Sequence, residues 1–188
     1  MIHTGIDIVV IGGSSGSIGI ITSIVNALPA GFNIPVIIII HRKKNVTSEL
    51  KRTLSSISRK VTEPEDKERI TDGGIYLAPQ NYHLLIEHER IFSLDYSEPE
   101  HFSRPSIDVT FLSVAEVYKH SALAILLSGA NRDGAAGIAG ITARGGRAIV
   151  QDPATAEYPL MPEAAIKNNI NVEIHSPQNI VDVLLRLK

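Results

Sequence analysis

Ile8-Val9-Val10-Ile11-Gly12-Gly13-Ser14-Ser15-Gly16 joins an unbroken apolar run to a glycine-rich turn. Behind it, Ile21, Ile24, Val25 and Leu28 recur at helical spacing, which predicts a helix over Ile18 to Leu28. A buried strand, a tight turn and a helix form the setting of a G-x-S-x-G nucleophile elbow. Gly12 and Gly16 flank Ser14 in that pattern, whereas Ser15 would need glycine where Ser17 stands. Small flanking residues let the chain reverse sharply and hold the central hydroxyl proud of the sheet edge. The first amides of the following helix face the same spot and favour developing negative charge.

A glycine-rich strand-to-helix turn also serves as a phosphate cradle, but the usual signatures are missing. No G-x-G-x-x-G can be read from Gly12 to Gly19, and no G-x-x-x-x-G-K-[ST] occurs anywhere. The turn resembles the start of short-chain dehydrogenases as well. That family needs a Tyr followed four residues later by Lys, and none of Tyr76, Tyr82, Tyr96, Tyr118 or Tyr158 has one. The serine reading survives.

Working outward, Val36-Ile37-Ile38-Ile39-Ile40 is the run expected of a parallel strand buried on both faces, and it stops at His41. Ala122 to Leu127 is a third such run, ending in Ser128-Gly129-Ala130-Asn131-Arg132-Asp133-Gly134. Between them, a helix is expected over Ser48 to Ile57 with Thr47 as N-cap, and a strand over Ile75 to Ala78. A hairpin is expected from His83 to Leu94, then an irregular loop from Asp95 to Ser106 and a helix carrying Phe111, Val114, Ala115 and Tyr118. A small-residue helix from Ala135, a strand at Arg147 to Val150, helices at Pro162 to Asn168 and Pro177 to Leu187, and a short strand at Val172 to Ile174 complete the order. Strands alternating with helices predict an α/β fold: a doubly wound, mostly parallel sheet with helices on both faces and a small β-hairpin.

The 188 residues, 44% hydrophobic and 20% charged, suit one globular domain with a real core. A formal charge of -2 offers no whole-molecule attraction to nucleic acid or anionic membrane. The absence of cysteine excludes disulfides, a thiol nucleophile and thiolate metal sites. No apolar run is long enough for a bilayer and Met1 to Gly5 is no export signal, so the expectation is a cytoplasmic protein without membrane insertion. There is no H-E-x-x-H and no calcium-loop pattern, and no metal or organic cofactor is expected.

The carboxyl ends of parallel strands share one edge, so Ser14, His41 and Asp133 can meet there although far apart in sequence. A serine hydroxyl needs an imidazole to take its proton and a carboxylate to orient that imidazole. The order Ser, His, Asp differs from that of α/β-hydrolases, which points to another fold with the same chemistry. From spacing alone His83 rivals His41, and Asp152 rivals Asp133, which also reads as a helix-capping aspartate. Arg42-Lys43-Lys44 reads as a solvated loop that lies beside the base and could dock an acidic partner, and Glu63 to Arg69 as surface.

With these residues in hand, the chain resembles the catalytic domain of the bacterial chemotaxis protein-glutamate methylesterases along nearly its whole length. The resemblance is carried by Ile11-Gly12-Gly13-Ser14-Ser15-Gly16, His41, Gly73-Gly74-Ile75-Tyr76-Leu77-Ala78-Pro79, His83 and Arg104-Pro105-Ser106-Ile107-Asp108. Its most specific segments are Leu127 to Ala135 and Met161-Pro162-Glu163-Ala164-Ala165-Ile166. It implies a doubly wound α/β domain over 1–188, with Ser14, His41 and Asp133 as nucleophile, base and acid. The implied reaction is hydrolysis of glutamate methyl esters on the cytoplasmic helices of chemoreceptors, with release of methanol, and deamidation of particular glutamines. Amides near Ser15 and in the Gly129 to Asn131 loop are the expected oxyanion donors. Ser17, Ala130 and Asn131 depart from the family, which commonly has Gly, Met and Gly there. Members typically carry an N-terminal receiver domain, so a catalytic domain without one is expected. Two alternatives stand beside this reading. One is a serine hydrolase for another small ester or amide. The other is a non-catalytic module holding a partner through Arg42-Lys43-Lys44 and Asp95 to Ser106.

Overall fold

The computed structural model describes residues 5–42, 49–55, 60–169 and 171–187. Its centre is a seven-stranded sheet in which every neighbouring pair runs parallel. The strands are β1 (Ile8–Gly13), β2 (Val36–Ile40), β3 (Val61–Thr62), β4 (Ile75–Leu77), β7 (Ala122–Leu126), β8 (Arg147–Gln151) and β9 (Glu173–His175), in the order β3-β4-β2-β1-β7-β8-β9. A separate antiparallel pair, β5 (His83–Glu87) and β6 (Ile91–Asp95), forms the hairpin. The doubly wound, parallel architecture expected from the alternating pattern is the one observed.

The β-branched runs explain the layering. Successive side chains of a strand point to opposite faces. Ile8, Val10, Ile37, Ile39, Ala124 and Leu126 enter one core, and Val9, Ile11, Ile38, Ile40, Leu123 and Ile125 enter the other. The first core is covered by α3 (Ile107–Tyr118), α4 (Ala135–Ala143) and α5 (Leu160–Asn168), through residues such as Phe111, Ile138 and Met161. The second is covered by α1 (Ile18–Ala27), α2 (Leu50–Leu54) and α6 (Pro177–Leu185), through Ile21, Ile24, Leu54 and Ile180. With both faces packed, the strands need no polar alternation.

The hairpin lies on α3, burying Leu84, Ile86 and Phe92 in the first core. Thr110 Oγ1 donates to the Leu84 carbonyl and Ser113 Oγ accepts from the Ile86 amide, so helix side chains satisfy strand backbone that lacks a partner strand. The stretch Glu63 to Arg69, expected to be surface, is largely exposed and also borders the hairpin. Lys67 N donates to Phe92 O and Phe92 N donates to Glu68 O. The expected ends of the second helix at Ser48 and Ile57, its Thr47 cap, and Lys43 and Lys44 lie outside the described residues.

The chain winds outward from β1 to β2, then returns to place β7 on the other side of β1. Between β1 and β7 the strand order reverses, and such a switch point opens a crevice at the carboxyl ends of the strands.

Candidate active site

The three sequence-predicted residues all lie at that carboxyl edge. Gly13 and Ile40 are the last paired residues of β1 and β2, and the His41 amide donates to the Gly13 carbonyl at 3.4 Å. Ser14 and His41 are thus the next residues of adjacent strands. On the other side, the Ser14 amide donates to the Ser128 carbonyl at 2.9 Å, which places Ser14 beside the loop leaving β7.

The turn after Ser14 is tight for identifiable reasons. Ser17 is fully buried, and both its Oγ and its amide donate to the Ser14 carbonyl, at 2.7 and 3.2 Å. Ser17 therefore closes the elbow. Gly16 has φ +79, and a Cβ there would stand 2.7 Å from both Glu157 Cβ and Ser128 Oγ. A Cβ on Gly12 would meet Ile107 Cγ2 at 2.5 Å, so the start of α3 passes over the strand too closely for any side chain. Both glycines of the G-x-S-x-G pattern are thus sterically required. Ser14 is partly exposed while Ser15 points outward.

Asp133 is fully buried and its carboxylate receives four donors. His41 Nε2 lies 2.7 Å from Oδ2, and the Ile107 amide donates to Oδ2 at 2.8 Å. Ser106 Oγ and the Asp108 amide donate to Oδ1, both at 2.9 Å. The carboxylate thus sits on the N-terminus of α3, where unpaired amides and the helix dipole favour an anion. Burial pushes the Asp133 carboxyl up, but the bonds from His41 and from the amides of Asp108 and Ile107 outweigh it and hold the acid below the ordinary carboxylate range. Asp133 does serve a helix end, though not in the way its sequence position suggested. The helix that follows it, α4, is led by Gly134 without a side-chain cap, and the end that Asp133 satisfies belongs to α3.

With Nε2 committed to Asp133, the remaining ring nitrogen of His41 is Nδ1, approached by Asn131 Nδ2 at 3.5 Å. Asn131 Oδ1 accepts from the Asp133 amide at 3.1 Å, which sets the orientation of that side chain. The rivals stand elsewhere. His83 is fully buried, with Nε2 3.0 Å from the Glu98 carbonyl and Nδ1 accepting from the Ser106 amide at 3.2 Å. It braces the irregular loop against the start of α3. Asp152 accepts from the Ala154 amide at 3.0 Å and begins a 3-10 turn.

Two of the amides expected to bind an oxyanion are already engaged. The Ser14 amide is bonded to Ser128, and the Gly129 amide donates to the Tyr158 carbonyl at 3.0 Å. Among the described residues, the amides of Ser15, Gly16, Ala130 and Asn131 have no hydrogen-bond acceptor, and they flank the crevice on both sides. Gly129 leaves the expected set because its amide is spent on the Tyr158 carbonyl, in the segment that leads into α5.

Several supporting residues were not singled out from sequence. Ser106 directly before Ile107, with Asp108 in the first turn, is an N-cap signature that could have been recognised. Asp108 is mostly buried, its Oδ1 accepting from the Gly137 amide at 2.6 Å. Burial pushes its carboxyl up, the Gly137 amide opposes this, and the Asp133 charge adds to the rise. His101, Asp108 and Asp133 lie close enough to share a cation, but Asp133 already has four donors. Gln151, at the end of β8, accepts the Ser128 amide at 2.9 Å and carried no sequence signal beyond being polar at a strand end.

Comparison with known proteins agrees with this architecture. The family model described as CheB methylesterase matches residues 9–184. A Leptospira interrogans protein provisionally named protein-glutamate methylesterase/protein-glutamine glutaminase is 43% identical over 180 residues, 95% of this chain and 93% of its own length. A protein-glutamate methylesterase/protein-glutamine glutaminase of Trichodesmium erythraeum is 31% identical over 96% of this chain, which spans 53% of that relative. Among solved structures, the crystal structure of the Thermotoga maritima CheB methylesterase catalytic domain superimposes with a TM-score of 0.91 at 30% identity, covering 97% of this chain and 99% of that one.

Proposed function

The chain belongs to the CheB methylesterase family, and we propose that it hydrolyses glutamate methyl esters on chemoreceptor helices, and deamidates glutamines, through Ser14, His41 and Asp133. The observation that carries the assignment is the 2.7 Å contact from His41 Nε2 to a buried Asp133 carboxylate, with Ser14 next to His41 on the adjacent strand. Because Nε2 faces Asp133, Nδ1 is the nitrogen that acts as base. It takes the Ser14 proton as Oγ attacks the ester carbonyl carbon, and the charge that forms on the carbonyl oxygen is met by the amides of the elbow and of the Ala130–Asn131 loop. Collapse of the tetrahedral adduct breaks the bond to the methoxy group, which leaves with the His41 proton as methanol. Water then attacks the acyl-serine, His41 again takes and returns a proton, and the glutamate carboxylate departs from Ser14. Asp133 stays ionised throughout and stabilises the imidazolium. A glutamine follows the same course with ammonia as leaving group.

Receptor cytoplasmic helices as substrate place the reaction in the cytoplasm. Among the described residues, no helix is long and apolar enough to cross a membrane.

Methanol release from a methylated chemoreceptor fragment, with the unaltered protein and Ser14→Ala side by side, tests the proposal. The expected result is release that falls by roughly three or more orders of magnitude in the variant. Release surviving the substitution would sink the mechanism. No release from the unaltered protein, with Ser14 still labelled by a serine-directed phosphonate, would keep the hydrolase and discard this substrate.

A further inference from the structure

A groove of about 550 Å³ opens beside His41 and Asn131, and its other walls include Arg42, His101, Phe102 and Arg104. Among the described residues, two arginines and two histidines line it and no carboxylate does. Arg42 is not the solvated charge expected of the Arg42-Lys43-Lys44 loop, and Arg104 is not solvated either. The Arg42 side chain is only 8% exposed, its Nη1 donating to Glu63 at 2.5 Å. Arg104 is buried with Nη1 donating to the carbonyls of Tyr96 and Ser97, and its guanidinium lies 3.9 Å from the centre of the Tyr96 ring. In both side chains Nε is buried and has no hydrogen-bond partner. A buried donor on a charged group is costly to leave unmatched. A ligand does not reach either Nε, but among the described residues Nη2 of both side chains has no hydrogen-bond partner and is not shut off from solvent, so it is the nitrogen that an arriving acceptor meets.

The part of the lining made by His101 and Phe102 is unusual in another way. The Ser103 amide donates to the Glu100 carbonyl at 2.8 Å, closing a turn whose central residues His101 and Phe102 have φ 48 and 62. Left-handed values at both central positions suit glycine and asparagine, not phenylalanine. His101 Nε2 lies 3.3 Å from Asp108 Oδ2, tying the turn to α3. The strained conformation presents Phe102 wholly to solvent, at 103% exposure.

We infer that this groove docks an acidic segment of the protein substrate, with its carboxylates against Arg42 and Arg104 and an apolar side chain packed on Phe102. The planar guanidinium fork matches a carboxylate, and an exposed aromatic ring beside it supplies apolar contact area. The inference rests on the methylesterase reading, in which each turnover adds one carboxylate to the segment presented. The groove thus draws Arg42 from one of the stretches that a binding module would have used, and Phe102 and Arg104 from the other, Asp95 to Ser106.

The test uses a fluorescein-labelled peptide of glutamate and leucine, without ester, titrated by anisotropy onto the full chain carrying Ser14→Ala. Binding is expected to weaken at least fivefold on adding Phe102→Gly, and likewise on adding Arg42→Gln, and to weaken as salt rises. Glycine suits the φ at position 102, so that variant retains the turn. In the otherwise unaltered chain, Phe102→Gly is expected to lower, at least tenfold, the ratio of kcat/KM on a methylated receptor fragment to kcat/KM on p-nitrophenyl acetate. Peptide affinity indifferent to both substitutions, or an unchanged ratio, overturns the docking groove and leaves the esterase standing. Peptide binding with the expected dependence, but no methanol from the receptor fragment, upholds the groove and removes the proposed substrate.

Discussion

Asp133 is the residue of the candidate site on which four donors converge. Its carboxylate is at once the partner of His41 Nε2 and the acceptor for Ser106 Oγ and two helix amides. Asp133→Asn retains the shape but replaces one oxygen with a donor, which conflicts with at least one of those four donors. If the side chain turns its amide toward His41, the imidazole must present an unprotonated Nε2 and loses its free base nitrogen. Methanol release is expected to fall about 10⁴-fold, the scale for losing the orienting carboxylate of a serine triad, while far-ultraviolet circular dichroism stays the same. A rate within tenfold of the unaltered protein would move the acid's role to another group. His41 and Asp133 were legible in sequence as strand-end and pre-helix residues, and the family resemblance named them together, but spacing alone did not pair them. His83 and Asp152 had equally suitable positions, and what separates them is direction: His83 faces Glu98 and Ser106, and Asp152 faces Ala154.

At the scale of elements, the start of α3 is the part that assembles the site. Ser106 accepts from the Val109 amide as N-cap while donating to Asp133. Ser106→Ala removes both, and is expected to lower the urea-unfolding free energy by about 1 kcal/mol, within the 0.5–2 range for lost caps. Asp133→Ala leaves the Ile107 and Asp108 amides buried without an acceptor, at about 1–3 kcal/mol each. Asp133→Ala is therefore expected to be clearly less stable than Ser106→Ala in the same titration. Equal stability would mean that water replaces the carboxylate and that the clasp matters only to His41. The helix itself was legible, since Phe111, Val114, Ala115 and Tyr118 mark its buried face. Its role as an anion-binding end was not, because the anion comes from a loop 25 or more residues away.

Across the whole molecule, the sheet must also hold its edges. β9 is an edge strand, and Arg147 at the start of β8 grips Glu173 through Nε at 2.5 Å and Nη2 at 2.9 Å. The Arg147 hydrogen bond, against a smaller opposing effect of burial and with help from His175, depresses the Glu173 carboxyl from 4.5 to about 2. A carboxyl depressed in the folded state stabilises fully above its unfolded value and loses that contribution as pH falls through the folded one. Glu173→Gln is therefore expected to cost stability at pH 7 and progressively less as pH falls from about 4.5 to 2. Both side chains are more than one-third exposed, so solvent screening limits the loss to about 1 kcal/mol or less. Urea titrations of both proteins at pH 7 and pH 3 measure it, and a difference that grows on acidification would contradict the pairing. The fold was nearly all determined by sequence alone, because both signals that define it are local. Apolar β-branched runs need burial on two faces, and helical spacing of apolar residues marks the layers that provide it. Ser14 was selected in the same local way, by glycines whose necessity lies within one turn and the helix crossing it. Spacing left His83 level with His41 and Asp152 level with Asp133, and beyond the family resemblance only tertiary structure shows which of them meet, which amides remain free for an oxyanion, and that Arg42 and Arg104 share a groove. Those outcomes depend on strand order and side-chain direction between residues far apart in the chain, and a hydrogen bond of 2.7 Å leaves no trace in the spacing of its partners.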